Sequence, residues 1–195
     1  MLAIAIAPIP DRIPVALPLV IAATISRWLR GRSWAEVTRA GPHLSNTMRF
    51  AVGFGVGAVA LVLAVIVGTH GVIALSQRSV EWSQHAIVRG NAELVAIVIL
   101  HVGVTAIAAE LALRGWLVER VLELSPGSPV LPVIVGGFAE AFVTSGTLGM
   151  RVGAMVFGIG LGWMYVAGGR NTVTSIAARV AFQCGAVALE ALRLV

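Results

Sequence analysis

The chain alternates long apolar runs with short polar punctuation, and the lengths of the runs set the expected architecture. A helix needs about 20 mainly apolar residues to cross a bilayer core. The first run extends from about Ile13 to Trp28, with Pro14 and Pro18 near its start, which predicts a kinked or tilted passage. The second runs from about Phe50 to Leu75 and carries Gly53, Gly55 and Gly57, small residues that let helices approach closely. The third starts near Ala92 and passes Ala109, and its helical pattern continues through Glu110, Arg114 and Glu119 to Leu124. At 1.5 Å per residue that is about 50 Å, longer than a bilayer core, so its C-terminal part is expected to emerge or to lie beneath a neighbour. The fourth is Val130 to Val143, the fifth about Met150 to Ala167, and the sixth Thr172 to about Leu194. Ser125 to Pro129, Thr144 to Gly149 and Gly168 to Asn171 read as turns. Such short connections imply antiparallel neighbours. The expectation is an all-α, polytopic transmembrane bundle of about six spans, forming one domain over 1–195 without a hydrophilic domain or internal repeat.

Composition agrees with that pattern. Of the 195 residues, 58% are hydrophobic and 12% charged, and mean hydropathy is +0.93. A soluble domain carries about 25% charged residues, so this chain has too little charge to cover a water-facing surface. The net charge is +5, and all basic residues are arginine. The arginines mark the ends of apolar runs, which points to membrane topology and away from nucleic acid. Arg27, Arg30, Arg32, Arg39 and Arg49 face only Glu36 across 27–49, so this loop is placed on the cytoplasmic side of a cell inner membrane, where anionic lipid headgroups are its natural partners. Ser33-Trp34-Ala35-Glu36 has capping-box spacing and predicts a short interfacial helix with Trp34 at headgroup depth. The loop from Ser76 to Asn91, with Arg78, Glu81, His85 and Arg89, falls on the opposite side. Met1 to Pro10 is apolar but lacks a basic n-region and contains Pro8 and Pro10, so it is not read as a cleaved signal peptide. Cys184 is the single cysteine, which rules out an intrachain disulfide.

Ionisable residues inside spans are costly and often functional. Here they are Glu93, His101, Glu110, Arg114, Glu140 and Arg179, with Gln183 as a polar companion. Glu110 and Arg114 are four residues apart and share a helix face. Glu140 and Arg179 sit on different helices with opposite charge. Both pairs are expected as structural ion pairs, and His101 as an interhelix hydrogen-bonder. His43, His70, His85 and His101 fall on separate segments, so no metal site is expected, and no cofactor. The glycines of Gly53 to Gly57 form no phosphate loop, and Ser145 has no nucleophile-elbow context.

Ala109-Glu110-Leu111-Ala112-Leu113-Arg114-Gly115-Trp116-Leu117 resembles the first motif of the CPBP (Abi) family, which holds the CAAX prenyl endopeptidases and their bacterial relatives. That motif is two adjacent glutamates, three residues, then Arg-Gly. Phe138-Ala139-Glu140-Ala141-Phe142 lies where the second motif, Phe and His four apart, would stand. Arg179-Val180-Ala181-Phe182-Gln183 lies where the third, His and Asn four apart, would stand, after a Gly-rich helix and a turn ending at Asn171. The resemblance spans roughly Arg27 to Ala191, with a core of about 92–191. It implies glutamate-dependent intramembrane proteolysis, in which a Glu and histidines activate water.

The departures from the motifs remove that chemistry. Ala109 stands for the first glutamate, Phe142 for the first histidine, Arg179 for the second, and Gln183 for the asparagine. Neither a methyl group nor a phenyl ring accepts a proton, and arginine stays protonated. Ala109, Glu110, Arg114, Phe138, Phe142, Arg179 and Gln183 are therefore expected as vestigial motif positions with no catalytic residue among them. Glu140 is two residues from Phe142 and is expected to point about 200° away from the motif position. The expected function is that of a catalytically inactive structural or accessory subunit, with other integral membrane proteins as partners. A protease with a rearranged site and a carrier for a lipid, isoprenoid or pigment are the alternatives.

Overall fold

The computed structural model describes residues 16–39, 44–67, 88–144 and 148–192. The expectations for Met1 to Pro10, for Arg78, Glu81, His43, His70 and His85, and for Ser145 concern residues outside those ranges. The described residues form α1 (Ala16–Leu29), α2 (Ala35–Thr38), α3 (Asn46–Ile66) and α4 (Ala92–Ala112). A π-helical segment (Leu113–Val118) then leads into α5 (Glu119–Leu124), followed by α6 (Val130–Val143), α7 (Leu148–Ala167) and α8 (Thr172–Ala191). No strand occurs among them. Four stretches are long and apolar enough to cross a bilayer: α3, α4 continued through α5, α7 and α8. The apolar helices α1 and α6, of 14 residues each, are shorter. The chain is a multi-pass, all-helical membrane protein.

Local chemistry sets the helix ends. Ser45 Oγ accepts the Met48 N–H at 3.2 Å, which starts α3 at Asn46, one turn before the apolar run alone indicates. Asn91 and Asn171 cap α4 and α8, accepting the N–H groups of Leu94 at 3.1 Å and Val173 at 2.8 Å. The chain leaves α1 through Gly31 at φ 66°. There the Arg32 N–H reaches back to the Arg27 carbonyl at 2.9 Å, an αL closure that favours glycine. The Ser33–Glu36 box forms with one change. Glu36 Oε1 accepts the Ser33 N–H at 3.1 Å, while Ser33 Oγ accepts from Ala35 instead of Glu36. The Ser33 N–H, with Arg32 and Arg27 adding to it, holds the Glu36 carboxyl below its ordinary value.

In lipid, helices gain little from hydrophobic burial, and close backbone approach takes over. α8 is the hub, packing along α3, α4 and α7. On α3 the small residues in contact are Gly53 and Gly57, whose Cβ positions would overlap the carbonyls of Thr174 and Ala178. Gly55, between them in sequence, faces open space. α6 and α7 form a tight hairpin in which a Cβ on Gly137 would crowd Ile159, and one on Gly158 would crowd Glu140. α1 packs on α4 through Ala16 against Ala108 and Ala109. Phe50, Phe54, Val59 and Val62 of α3 face outward, as lipid-facing residues do.

The basic loop is pinned beneath one end of the bundle. Arg27 is buried, donates to the Gly115 carbonyl at 2.8 Å, and lies 4.9 Å from the Trp34 ring centroid. Thr172 Oγ1 donates to the Val37 carbonyl at 2.9 Å and Asn171 Nδ2 to the Arg39 carbonyl at 2.7 Å. Arg49 donates to the Gly168 carbonyl, and Arg170 pairs with Glu119.

Because the α3–α8 seam depends on absent side chains, Gly57→Val is expected to destabilise the fold by roughly 1–3 kcal/mol through overpacking. Gly55→Val, which faces open space, is expected to change stability little. Thermal unfolding of both variants in detergent checks the contrast.

Candidate functional site

The charged side chains of three helices converge at one buried point. Arg114 lies in the π-helical segment, one turn beyond Glu110 on α4. Its Nη1 is 3.1 Å from Glu110 Oε1 and 2.8 Å from Glu140 Oε2, and its Nη2 donates to the Gly158 carbonyl at 2.8 Å. Arg179 of α8 places Nε 2.6 Å from Glu110 Oε1 and bonds Glu140 through Nη2. Each arginine thus meets both carboxylates, and each carboxylate meets both arginines. All four residues are buried, with Glu110 and Arg114 at 0% exposure.

The local sequence makes this meeting possible. Glu110 and Arg114, at i and i+4, share a helix face. Gly158 lets the Glu140 stem lie against α7, leaving its own carbonyl for Arg114. Gly115 admits Trp34, Val37 and Thr172 at close range. The π-helical turn, a feature common at functional sites, sits over Arg114 and Gly115. Sequence periodicity carries no signal for it, since one extra residue in a turn leaves an apolar helix apolar all round. The Gly158 and Gly115 carbonyls, which hold Arg114 and Arg27, were likewise not foreseen, because a backbone oxygen has no signature in the sequence.

The other motif positions fall elsewhere. Phe138 and Phe142 turn outward, 53% and 84% exposed. The residue that α6 directs at Arg114 and Arg179 is Glu140, about a half-turn of helix away from Phe142. Burying Glu140 satisfies a charge with two guanidinium groups, whereas Phe142 is at home in lipid. Ala109 is buried against α1 in a cluster with Ala16 and Ala108. Gln183 is half-buried on α8, one turn beyond Arg179. Glu93 is exposed in the first turn of α4, outside the core. His101 is half-buried, and its Nε2 has no hydrogen-bond partner. Among the described residues no group of three or more His, Cys, Asp or Glu could hold a metal ion.

The chemistry open to this cluster is narrow. Two carboxylates and two guanidiniums sum to zero charge, and arginine does not give up its proton. The cluster leaves two buried atoms without a hydrogen bond, Glu110 Oε2 and Arg114 Nε.

Breaking a buried pair strands a charge, whereas removing both partners does not. Glu140→Leu and Arg179→Leu are each expected to cost roughly 3–5 kcal/mol. The double variant, which keeps the Glu110–Arg114 pair, is expected to be more stable than the sum of the single losses by at least about 1 kcal/mol. A double-mutant cycle of unfolding free energies measures this coupling.

Residues 91–185 match the family model described as type II CAAX prenyl endopeptidase Rce1-like. The matched stretch contains all four members of the ion cluster. No curated protein and no solved structure matches the chain.

Proposed function

The chain belongs to the CPBP family of CAAX-type membrane endopeptidases through its residues 91–185, and from that premise we propose that it is a catalytically inactive member acting as a structural or accessory subunit of a larger membrane complex. The observation that carries this reading is the closed ion cluster. The family's chemistry needs a carboxylate and histidines around a water. Here the inward positions on α6 and α8 hold Glu140 and Arg179, and both carboxylates are bonded to two arginines each. The first motif glutamate is Ala109, packed against α1. His101 lies nine residues before Glu110, about 13 Å along the helix axis, and does not join the cluster. General acid–base help contributes ~100- to 10,000-fold to such reactions, and the side chains that would supply it are replaced.

What the fold keeps is a rigid bundle with apolar outer faces on α3 and α7. The described residues outside the helices are short connections, so a protein partner meets this chain within or beside the bilayer. This is why a subunit role is favoured over that of a soluble-side adaptor.

In proteoliposomes with a farnesylated CaaX peptide, cleavage is expected to stay at the level of protein-free vesicles and to be unchanged by Glu110→Gln. Turnover that disappears in Glu110→Gln or Glu140→Gln would overturn inactivity and favour a rearranged protease site. Extraction from native membranes in mild detergent is expected to yield the chain in a complex with other integral membrane proteins. Recovery solely as a free monomer would count against the subunit role.

A further inference from the structure

An apolar cleft of about 250 Å³ opens between α1, the π-helical segment and α6. Leu19, Ala22, Trp116, Leu117, Ala139 and Phe142 are among its lining residues. Trp116 brings no free polar group to it, because its Nε1–H donates to Ser26 Oγ of α1 at 3.0 Å. A helix about 10 Å across fills more than this volume in a single 5.4 Å turn, so the cleft is too small for a partner helix. Its size and lining suit a flexible hydrocarbon chain.

The charged end of the bundle lies one turn below. Arg30 follows Ser26 by four residues and donates to its carbonyl at 3.2 Å, and Arg120 follows Trp116 by four. Along the axis, Arg120 lies about 6 Å beyond the cleft residue Trp116, and Arg30 about 12 Å beyond the cleft residue Ala22. Three arginines meet there on one carboxylate. Glu123 takes Arg120 Nη1 at 2.8 Å, Arg30 Nη1 at 3.1 Å and Arg32 Nη2 at 3.8 Å. Glu36 is shared between Arg32 at 3.1 Å and Arg27 at 3.6 Å, while Glu119 nearby is paired with Arg170. Four arginines against two glutamates leave a surplus of two positive charges, and Arg32 and Arg120 are exposed to a headgroup.

We propose that this cleft and the arginines beneath it form one binding site for an anionic phospholipid. One acyl chain occupies the apolar cleft beside Trp116, and the phosphodiester headgroup sits on Arg30, Arg32 and Arg120. Charge complementarity selects an anionic lipid over a zwitterionic one, and the apolar lining of the open cleft holds the chain. The inference is independent of the subunit role: such a site stands whether or not the chain docks a partner.

The test uses the full-length protein in lipid nanodiscs doped with dibrominated phosphatidylglycerol or dibrominated phosphatidylcholine. The Trp116 contribution to fluorescence is the difference between wild type and Trp116→Phe. Brominated phosphatidylglycerol is expected to half-quench that contribution at a mole fraction at least about fivefold lower than phosphatidylcholine, the preference an arginine near the membrane surface confers. Arg30→Gln with Arg120→Gln is expected to remove most of the preference. High salt is expected to weaken it in wild-type protein, a readout that needs no substitution in the cluster. Equal quenching by the two lipids overturns the proposal, as does a preference that survives both the arginine variant and high salt. Reversal of the phosphatidylglycerol effect by millimolar inorganic phosphate also overturns it, by assigning the arginines to free phosphate instead of a lipid.

Discussion

The fold turns on two glutamates and two arginines that must find one another inside a bilayer. Any one of these charges alone in the apolar interior carries a heavy desolvation cost, so none can be left over. Glu110, Arg114, Glu140 and Arg179 satisfy this by forming a square in which each charge meets two of the opposite sign. That requirement sets the face α6 turns inward, the placement of α8 against α4, and the need for glycine at position 158. The α6–α7 hairpin meets the rest of the bundle through the π-helical segment, α5 and α8. The ion square therefore lies at the joint between the hairpin and the remaining helices.

The same square bears on function. A site that activates water needs a base free to take a proton and room for the water. In this cluster each carboxylate is already engaged by two guanidiniums. Under the proposed inactivity, the cluster that balances charge in the membrane also serves as a lock. Family membership and inactivity are compatible on this reading. Under the proposal, paired charges stand at the centre of the bundle where the family's chemistry would need proton carriers.

The membrane end of the bundle follows a different logic. There the charges are exposed or half-exposed, shared and in surplus, and they lie beside the buried Arg27–Trp34 contact. Charges in the core are balanced because lipid cannot solvate them. Those at the interface can exceed their partners because water and headgroups supply the rest. One arginine-only chain meets both conditions, with Arg114 and Arg179 in the first and Arg30, Arg32 and Arg120 in the second.

The sequence by itself determined that this is a helical membrane bundle, because run length and missing charge are one-dimensional properties. The α6 bounds, Val130–Val143, and the continuous passage from Ala92 to Leu124 are legible for that reason. So are the Glu110–Arg114 spacing and the Arg-rich loop. Only the tertiary structure decided which face of α6 points inward, that Glu140 and not Phe142 completes the cluster, and that Gly53 and Gly57 pack while Gly55 does not. A helix that is apolar on every side has no amphipathic stripe to mark its buried face, so its orientation is set by partners distant in the sequence. The π-helical turn and the carbonyls of Gly115 and Gly158 are backbone geometry, which residue types do not encode one by one.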